Sequence, residues 1–348
     1  MPALAAPSKT RKKLVKRAPP DRSQTLRRVF QLAFLALNVW IGIEFYLFVR
    51  YYETGGRVVF AARPAGAEGW LPIAALMNLK LLLLTGRVPA LHAAGMFLLL
   101  AFAAISWLFR KSFCGWLCPV GTVSEYLWRL GHRIFRRNFR LLHWLDIGLR
   151  SLKYILLVLF LYAVTSMSVE AIRSFLEGPY GLVDDVKMLN FFRFLGAGGL
   201  TVVAFLVVAS VFVQNFWCRY LCPYGALMGA LSLLSPLRIR RDAAPCIDCA
   251  KCAHACPAGL PVDKLVSIRS AECTGCLECV AACPAAGALF LSTPLRHARV
   301  PAWAVAAGVA VLFLGVCGYA RLTGHWNTAL PSRVYFELIP HANEFHHP

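Results

Sequence analysis

Between positions 246 and 284 the chain reads CIDCAKCAHACP and then CTGCLECVAACP, with 16 residues separating Cys256 from Cys273. Each block is C-x2-C-x2-C-x3-C-P, the bacterial spacing for [4Fe–4S] clusters. Three thiolates from one tight loop cap a face of the cube, and a distant fourth closes it. In two-cluster ferredoxins the fourth cysteine of each block ligates the other cluster. The predicted sets are therefore Cys246, Cys249, Cys252 and Cys283 for one cluster, and Cys273, Cys276, Cys279 and Cys256 for the other. A zinc site is the competing explanation, but zinc takes four ligands, usually from two separated C-x2-C pairs, and has no use for a third cysteine in both blocks. Two clusters in so short a segment predict a conduit for single electrons.

Four further cysteines come as an internal repeat. FCGWLCPVG at 113–121 and WCRYLCPYG at 217–225 match at aromatic, Cys, aromatic, Leu, Cys, Pro and Gly. One C-x3-C alone would read as two buried small residues. The second copy changes that, and Cys114, Cys118, Cys218 and Cys222 are expected to share a redox or metal site, with redox-active dithiol pairs as the alternative. Cys317, inside an apolar run, reads as a small core residue.

The elements that must position these thiols follow from composition. With 58% hydrophobic and only 16% charged residues in 348, the chain is too apolar for a soluble domain. Five runs approach the ~20 residues that cover a hydrocarbon core of ~30 Å: Val29–Phe48, Leu91–Phe109, Leu152–Val169, Ala197–Trp217 and Val300–Tyr319. A sixth, Leu71–Leu84, is short and carries Lys80, so it is expected in the interface or as a re-entrant segment. The first run is longer than the ~7–15 apolar residues of a signal peptide and reads as an uncleaved anchor.

The predicted fold is an α-helical polytopic membrane protein of about five transmembrane helices, built as two duplicated hairpins, with an inserted dicluster ferredoxin-like α+β domain. The boundaries are a basic terminus (1–28), a first hairpin (29–128), an interfacial basic helix (129–151), a second hairpin (152–240), the ferredoxin domain (241–299), a fifth helix (300–319) and a tail (320–348). Of the 37 Lys and Arg, 27 fall in segments 1–28, 110–153 and 218–299. That bias puts the N-terminus and all the cluster cysteines in the cytoplasm and the C-terminus in the periplasm of a bacterial inner membrane. The formal charge of +20 is accounted for by these flanking blocks, so no nucleic-acid partner is expected. In TVSEYLWRLGHRIFRRNFRLLHWL, Thr122 and Glu125 have capping-box spacing, and the mixture of Arg with Leu, Trp and Phe suits a helix lying on an anionic lipid surface.

Ionisable residues within the membrane are functional candidates. Glu44, toward the end of the first run, and His92, opening the second from the same side, are expected at similar depth, where either can accept a proton from a quinol. His341, His346 and His347 read as part of a solvated tail, and no C-x-x-C-H offers a c-type haem attachment. No P-loop, G-x-G-x-x-G with an acidic partner, or G-x-S-x-G is found, so reducing equivalents are expected from quinol or from another protein.

Paired C-x3-C-P motifs at membrane helix ends, followed by a dicluster segment, resemble the polyferredoxin-type membrane family that includes NapH-like quinol dehydrogenases, NosR-like proteins and YccM-like electron transport proteins. The resemblance covers roughly residues 90–290 and rests on Cys114, Cys118, Cys218, Cys222 and the eight ferredoxin cysteines. It implies electron transfer between the membrane quinone pool and a protein partner, a reductase subunit or a cytochrome. The chain departs from relatives in having no flavin-binding domain ahead of the first run, and a fifth run with a tail behind the ferredoxin. Two other functions stay open at this point: a copper reductase or assembly factor for a respiratory enzyme, and an iron–sulfur redox regulator.

Overall fold

A computed structural model describes residues 16–19, 21–136, 139, 141–293, 298–328 and 330–347. The basic run at 9–15 lies outside the described residues. In chain order the elements begin with α1 (Ser23–Glu53), a 3-10 turn (Ala65–Trp70), α2 (Pro72–Thr85), α3 (Ala93–Leu108), a π turn (Phe113–Leu117) and α4 (Pro119–Phe135). They continue with α5 (His143–Ser166), α6 (Val169–Glu177), α7 (Pro179–Leu182), α8 (Asp184–Arg193), α9 (Ala197–Phe212), a second π turn (Trp217–Leu221) and α10 (Pro223–Leu233). The ferredoxin segment supplies β1 (Arg238–Arg241), α11 (Lys251–His254), α12 (Glu278–Ala281) and β2 (Leu289–Ser292), and the chain closes with α13 (Ala302–Leu322) and α14 (Ser332–Leu338).

Among the described residues three helices are long and apolar enough to cross a membrane: α1, α5 from Trp144, and α13. The 31 residues of α1 rise about 46 Å, so its ends project beyond a hydrocarbon core of ~30 Å. The runs expected as second and fourth crossings form α3 and α9, of 16 residues each, and α9 meets α8 at 82°. The short apolar run with Lys80 is the 14-residue α2, packed on α3. Its lysine closes the end of α5, where Nζ donates to the carbonyls of Val164 (3.2 Å), Thr165 (2.8 Å) and Met167. Those carbonyls have no partner within the helix. Lys80→Met is expected to cost about 1–3 kcal/mol, read as a lower unfolding midpoint in detergent.

Two expectations are overturned here. The stretch from Thr122 to Leu145 is not one surface helix: α4 stops where Arg136 adopts φ 56°, and α5 starts anew at His143. Nor is Thr122 a cap. Cys118 is the N-cap, Thr122 donates its hydroxyl back to the Cys118 carbonyl at 3.1 Å, and Glu125 turns inward to an arginine. The face of α4 lies on α9, where a Cβ at Gly131 would stand 2.0 Å from the Val211 carbonyl oxygen, so only glycine permits that approach.

The tail carries a docked helix, while His341, His346 and His347 are exposed, as expected of them. On α14, Tyr335 joins Phe45, Phe48 and Tyr52 of α1 in a buried cluster with Ile339 and Ala342. Lys187 Nζ holds the carbonyls of Ala342 (2.8 Å) and Phe345 (2.6 Å), and His347 packs on Phe175 and Tyr180, while His341 stays exposed beside Glu344.

In the ferredoxin domain β1 and β2 pair antiparallel, Arg238 opposite Ser292 and Arg241 opposite Leu289. Ala18 N–H donates to the Pro284 carbonyl and Ala286 N–H to the Lys16 carbonyl, so the chain just ahead of α1 clasps the back of the second cysteine block. One core cluster runs without a break from Phe102 and Ile105 of α3 through Phe113 and Trp116 into Ile239, Ile268 and Leu289, so the membrane and ferredoxin parts share their interior.

Candidate redox site

The internal repeat is structural as well as sequential. Both copies form a five-residue π turn that ends at a cysteine, and each of those cysteines N-caps the next helix. Cys118 Sγ accepts from Gly121 N–H at 3.4 Å and Cys222 Sγ accepts from Gly225 N–H at 3.2 Å. Proline at the first position of α4 and α10 removes a donor that would otherwise have no partner. Burial pushes the Cys118 and Cys222 thiols up, and the N–H groups of Gly121 and Gly225 at the two helix heads offset only part of that.

All four of these cysteines line one cavity of about 1200 Å³. It is walled mostly by apolar side chains such as Phe34, Leu98, Phe102 and Phe313. From Arg27 to Glu44 it follows α1, a rise of about 26 Å. Its ferredoxin end reaches Thr274 and Cys276 of the second cluster block. Cys317, expected in the core, also lines it.

Close packing fastens that end. A Cβ at Gly115 would stand 2.7 Å from the Thr274 carbonyl oxygen, Trp116 Nε1 donates to Gly275 O at 3.1 Å, and Gln24 donates to Cys276 O at 2.9 Å. Arg27, 1% exposed, places Nη1 on Gly115 O (3.2 Å) and Glu125 Oε2 (2.8 Å), and Nη2 on Glu125 Oε1 and Glu278 Oε1, both 2.6 Å. Gln31, one helical turn on, donates to the same carboxylate and the same carbonyl. In the second copy Arg219 occupies the place of Gly115 and pairs with Asp146, which Tyr220 also reaches at 2.6 Å. Fully buried Lys153 of α5 gives both Glu272 oxygens a bond of 2.7 Å. Burial pushes the Glu272 carboxyl up, but Lys111 and Lys153 outweigh it and hold it below its ordinary value.

The ferredoxin thiols suit the cofactor their spacing implies. Cys256, Cys273, Cys276 and Cys279 line one small cavity with Ile239, Leu260 and Ile268. Cys283 lies within electrostatic reach of Cys249 and Cys246, and also of Cys252. Each fourth cysteine thus faces the block other than its own. The two sets differ in exposure: Cys249 is open to solvent, whereas Cys256, Cys273, Cys276 and Cys279 are all buried. Among the described residues no three His, Cys, Asp or Glu side chains stand close enough to hold a single metal ion. Four thiolates on one zinc, with bonds of ~2.3 Å, would have to crowd within ~4 Å of one another, whereas a cube keeps its thiolates further apart.

At the far end of the cavity Glu44 lines the wall, as does Arg63. His92 does not line it; it is 2% exposed and opens α3 at φ 52°. The two candidates are not brought into contact, but Arg63 Nη2 lies 3.5 Å from His92 Nδ1. Sequence reading missed Arg27, Lys153, Arg63 and Glu68, and took Glu125 for half of a capping box. For the first a signal was present, since Arg27 and Gln31 are i, i+4 on one face at the start of an apolar run. For Arg63 and Glu68, in the α1–α2 connection, no periodicity marks them.

Comparison with known proteins gives a consistent result. A family model described as a 4Fe–4S binding domain matches residues 91–138 and 195–241, once per repeat, and a 4Fe–4S dicluster domain matches 238–284. YccM of Escherichia coli (strain K12), named for electron transport, is 50% identical over 323 residues, covering 91% of this chain and 90% of that protein. The ferredoxin-type protein NapH of the same organism is 28% identical over 185 residues, 52% of this chain and 59% of NapH. The regulatory protein NosR of Stutzerimonas stutzeri is 32% identical over 161 residues, 44% of this chain and 21% of NosR. No solved structure matches the chain.

Proposed function

Because the chain belongs to the polyferredoxin-type family of membrane 4Fe–4S electron-transport proteins that includes YccM, NapH and NosR, we propose that it takes electrons from membrane quinol and delivers them through a dicluster ferredoxin domain to a protein partner. The observation that carries this reading is the long apolar cavity with four thiols and Cys276 at one end. A quinol is a polar ring on a long apolar tail, and this volume accepts both. It also resolves a difficulty of distance: a headgroup oxidised at the outer face would be most of a ~30 Å core away from the ferredoxin, whereas the cavity lets it reach the inner end.

In this reading Cys246, Cys249, Cys252 and Cys283 hold one [4Fe–4S] cluster, and Cys273, Cys276, Cys279 and Cys256 hold the other. When bound, the clusters supply acceptors for single electrons. Cys114, Cys118, Cys218 and Cys222 form the entry, holding a further redox centre or acting as thiols themselves. Glu44 and His92 handle the protons. Trp116, Arg27 and Gln24 clamp the entry against the Cys273–Cys276 loop and exclude water there. The exposed Cys249 side faces the partner, a reductase subunit or a cytochrome. The chain sits in a bacterial inner membrane with α1, α3, α5, α9 and α13 as crossings, the ferredoxin domain cytoplasmic and α14 periplasmic, its basic residues resting on anionic lipid.

The test is anaerobic reconstitution of the purified protein, followed by addition of a quinol analogue while the iron–sulfur absorbance is recorded. Bleaching is expected with a suitable quinol. Centres that dithionite reduces but no quinol does would sink the quinol assignment.

A further inference from the structure

Beside the far end of the cavity lies a buried group of charges that electron transfer alone does not need. Arg63 donates to Glu68 Oε1 at 2.7 Å through Nη1 and to Asp185 Oδ2 at 2.6 Å through Nη2. His92 Nδ1 is 3.6 Å from Glu68 Oε1, and its Nε2 is 2.9 Å from the Gly181 carbonyl and 3.8 Å from Asp184 Oδ1. Thr328 and the Gly95 N–H complete the partners of Glu68, and the Val186 N–H completes those of Asp185. Tyr335 covers the group from α14. Three carboxylates therefore face one guanidinium and one imidazole.

Buried charge is costly unless matched, so this group needs His92 charged and one proton more. Glu68 is not the place for that proton, since it already accepts from Arg63, Thr328 and the Gly95 N–H. Burial pushes the Glu68 carboxyl up, yet bonds and charge from His92 and Arg63 prevail and hold it at about 2. Asp184 Oδ1 is buried and without a hydrogen-bond partner. Exposure of the side chains also grades along the row, from 0% at Glu68 and 2% at His92 to 12% at Asp184. At the cavity, Gly66 lies so near Ile41 that a Cβ would come within 2.7 Å of its Cδ1, which sets the Arg63–Glu68 turn beside α1 one helical turn from Glu44.

Resting on the quinol reading above, we propose that Glu44, Arg63, Glu68, His92 and Asp184 form a proton exit from the cavity to the side of the membrane opposite the ferredoxin domain. A hydroquinone losing two electrons also loses two protons. The electrons leave toward the ferredoxin domain, one at a time, and the protons run back along the cavity, beside the ~26 Å of α1 between Arg27 and Glu44, to Glu44, and from there to the His92–Asp184 pair and on to water. Arg63 and Glu68 stay charged and hold His92 in place. Oxidation of one quinol therefore moves negative charge one way and releases protons the other.

The experiment uses the full, cluster-loaded protein in sealed vesicles with the ferredoxin domain outward and a pH dye trapped inside. Duroquinol is the reductant, with iron–sulfur bleaching recorded in parallel. Wild type is expected to acidify the interior by about one proton per electron. Asp184→Asn, which keeps an oxygen to accept from the Asp185 N–H, and Glu44→Gln should each cut the interior protons per electron, or slow bleaching, about tenfold or more. Normal bleaching with the protons appearing outside overturns the exit alone, as do variants that keep both rate and ratio within about twofold. No quinol-driven bleaching at all overturns the quinol reading and the exit with it.

Discussion

Replacing Cys118 and Cys222 together by alanine is expected to abolish quinol-driven reduction while the ferredoxin domain keeps about eight irons. The two sulfurs sit at matched positions, each accepting an N–H at the head of its helix and each lining the cavity. Losing an N-cap side chain costs only about 0.5–2 kcal/mol, so the fold should survive the change. The eight ferredoxin cysteines belong to another part of the chain and should keep their irons, counted by iron and sulfide analysis with EPR. The rate of bleaching by quinol should fall more than about 100-fold, equivalent to ~2.7 kcal/mol of barrier. A rate within about twofold of wild type would make both cysteines architectural. Wild-type iron clearly above eight would show that the four thiols hold a centre of their own.

The second large effect is on stability. Arg27→Met is expected to destabilise the protein by about 3–5 kcal/mol, because it removes the buried guanidinium from Glu125 and Glu278 and leaves both carboxylates to the more exposed Arg129 alone. Arg27→Lys should rescue little, since an ammonium cannot span two carboxylates and the Gly115 carbonyl in one plane. Adding Glu125→Gln to Arg27→Met should recover part of the loss, as Glu278 still has Arg129 at 2.6 Å. The measurement is the unfolding midpoint in detergent, with cluster absorbance as a second probe. An unchanged midpoint would mean that the arginine does not hold the two halves together.

The iron–sulfur chemistry was legible because covalent ligands must recur at fixed spacing whatever surrounds them. The spacing alone proposes which of Cys246 to Cys283 share a cluster, and the structure turns each fourth cysteine toward the opposite block. The duplication was legible for the same reason. What escaped was everything decided by a distant partner. Glu125 has capping-box spacing to Thr122, but Arg27, nearly a hundred residues earlier, offers a buried charge that outcompetes a local backbone N–H. His92 was singled out as an ionisable residue at a helix start, but its partners Glu68 and Asp184 come from a 3-10 turn and from the head of α8. The tail looked polar because its histidines stand out, whereas Tyr335, Ile339 and Ala342, the residues that dock it, are spaced as one face of a short helical segment. Apolar length alone could not tell that α9 would be bent against α8.

The two copies of the repeat share their sulfurs but not the residue after the first cysteine. Gly115 lets the carbonyl of Thr274 lie against the backbone, and Arg219 at the matching place is tied to Asp146 and stops 3.6 Å short of where a Gly259 side chain would begin. The membrane part therefore has two sockets of the same make, of which only one is wired flush to the ferredoxin. Within the repeat the copies part at this position and again at Val120 and Tyr224. An exchange of Gly115 and Arg219 would leave every sulfur in place and still open the circuit, by wedging a guanidinium into the joint.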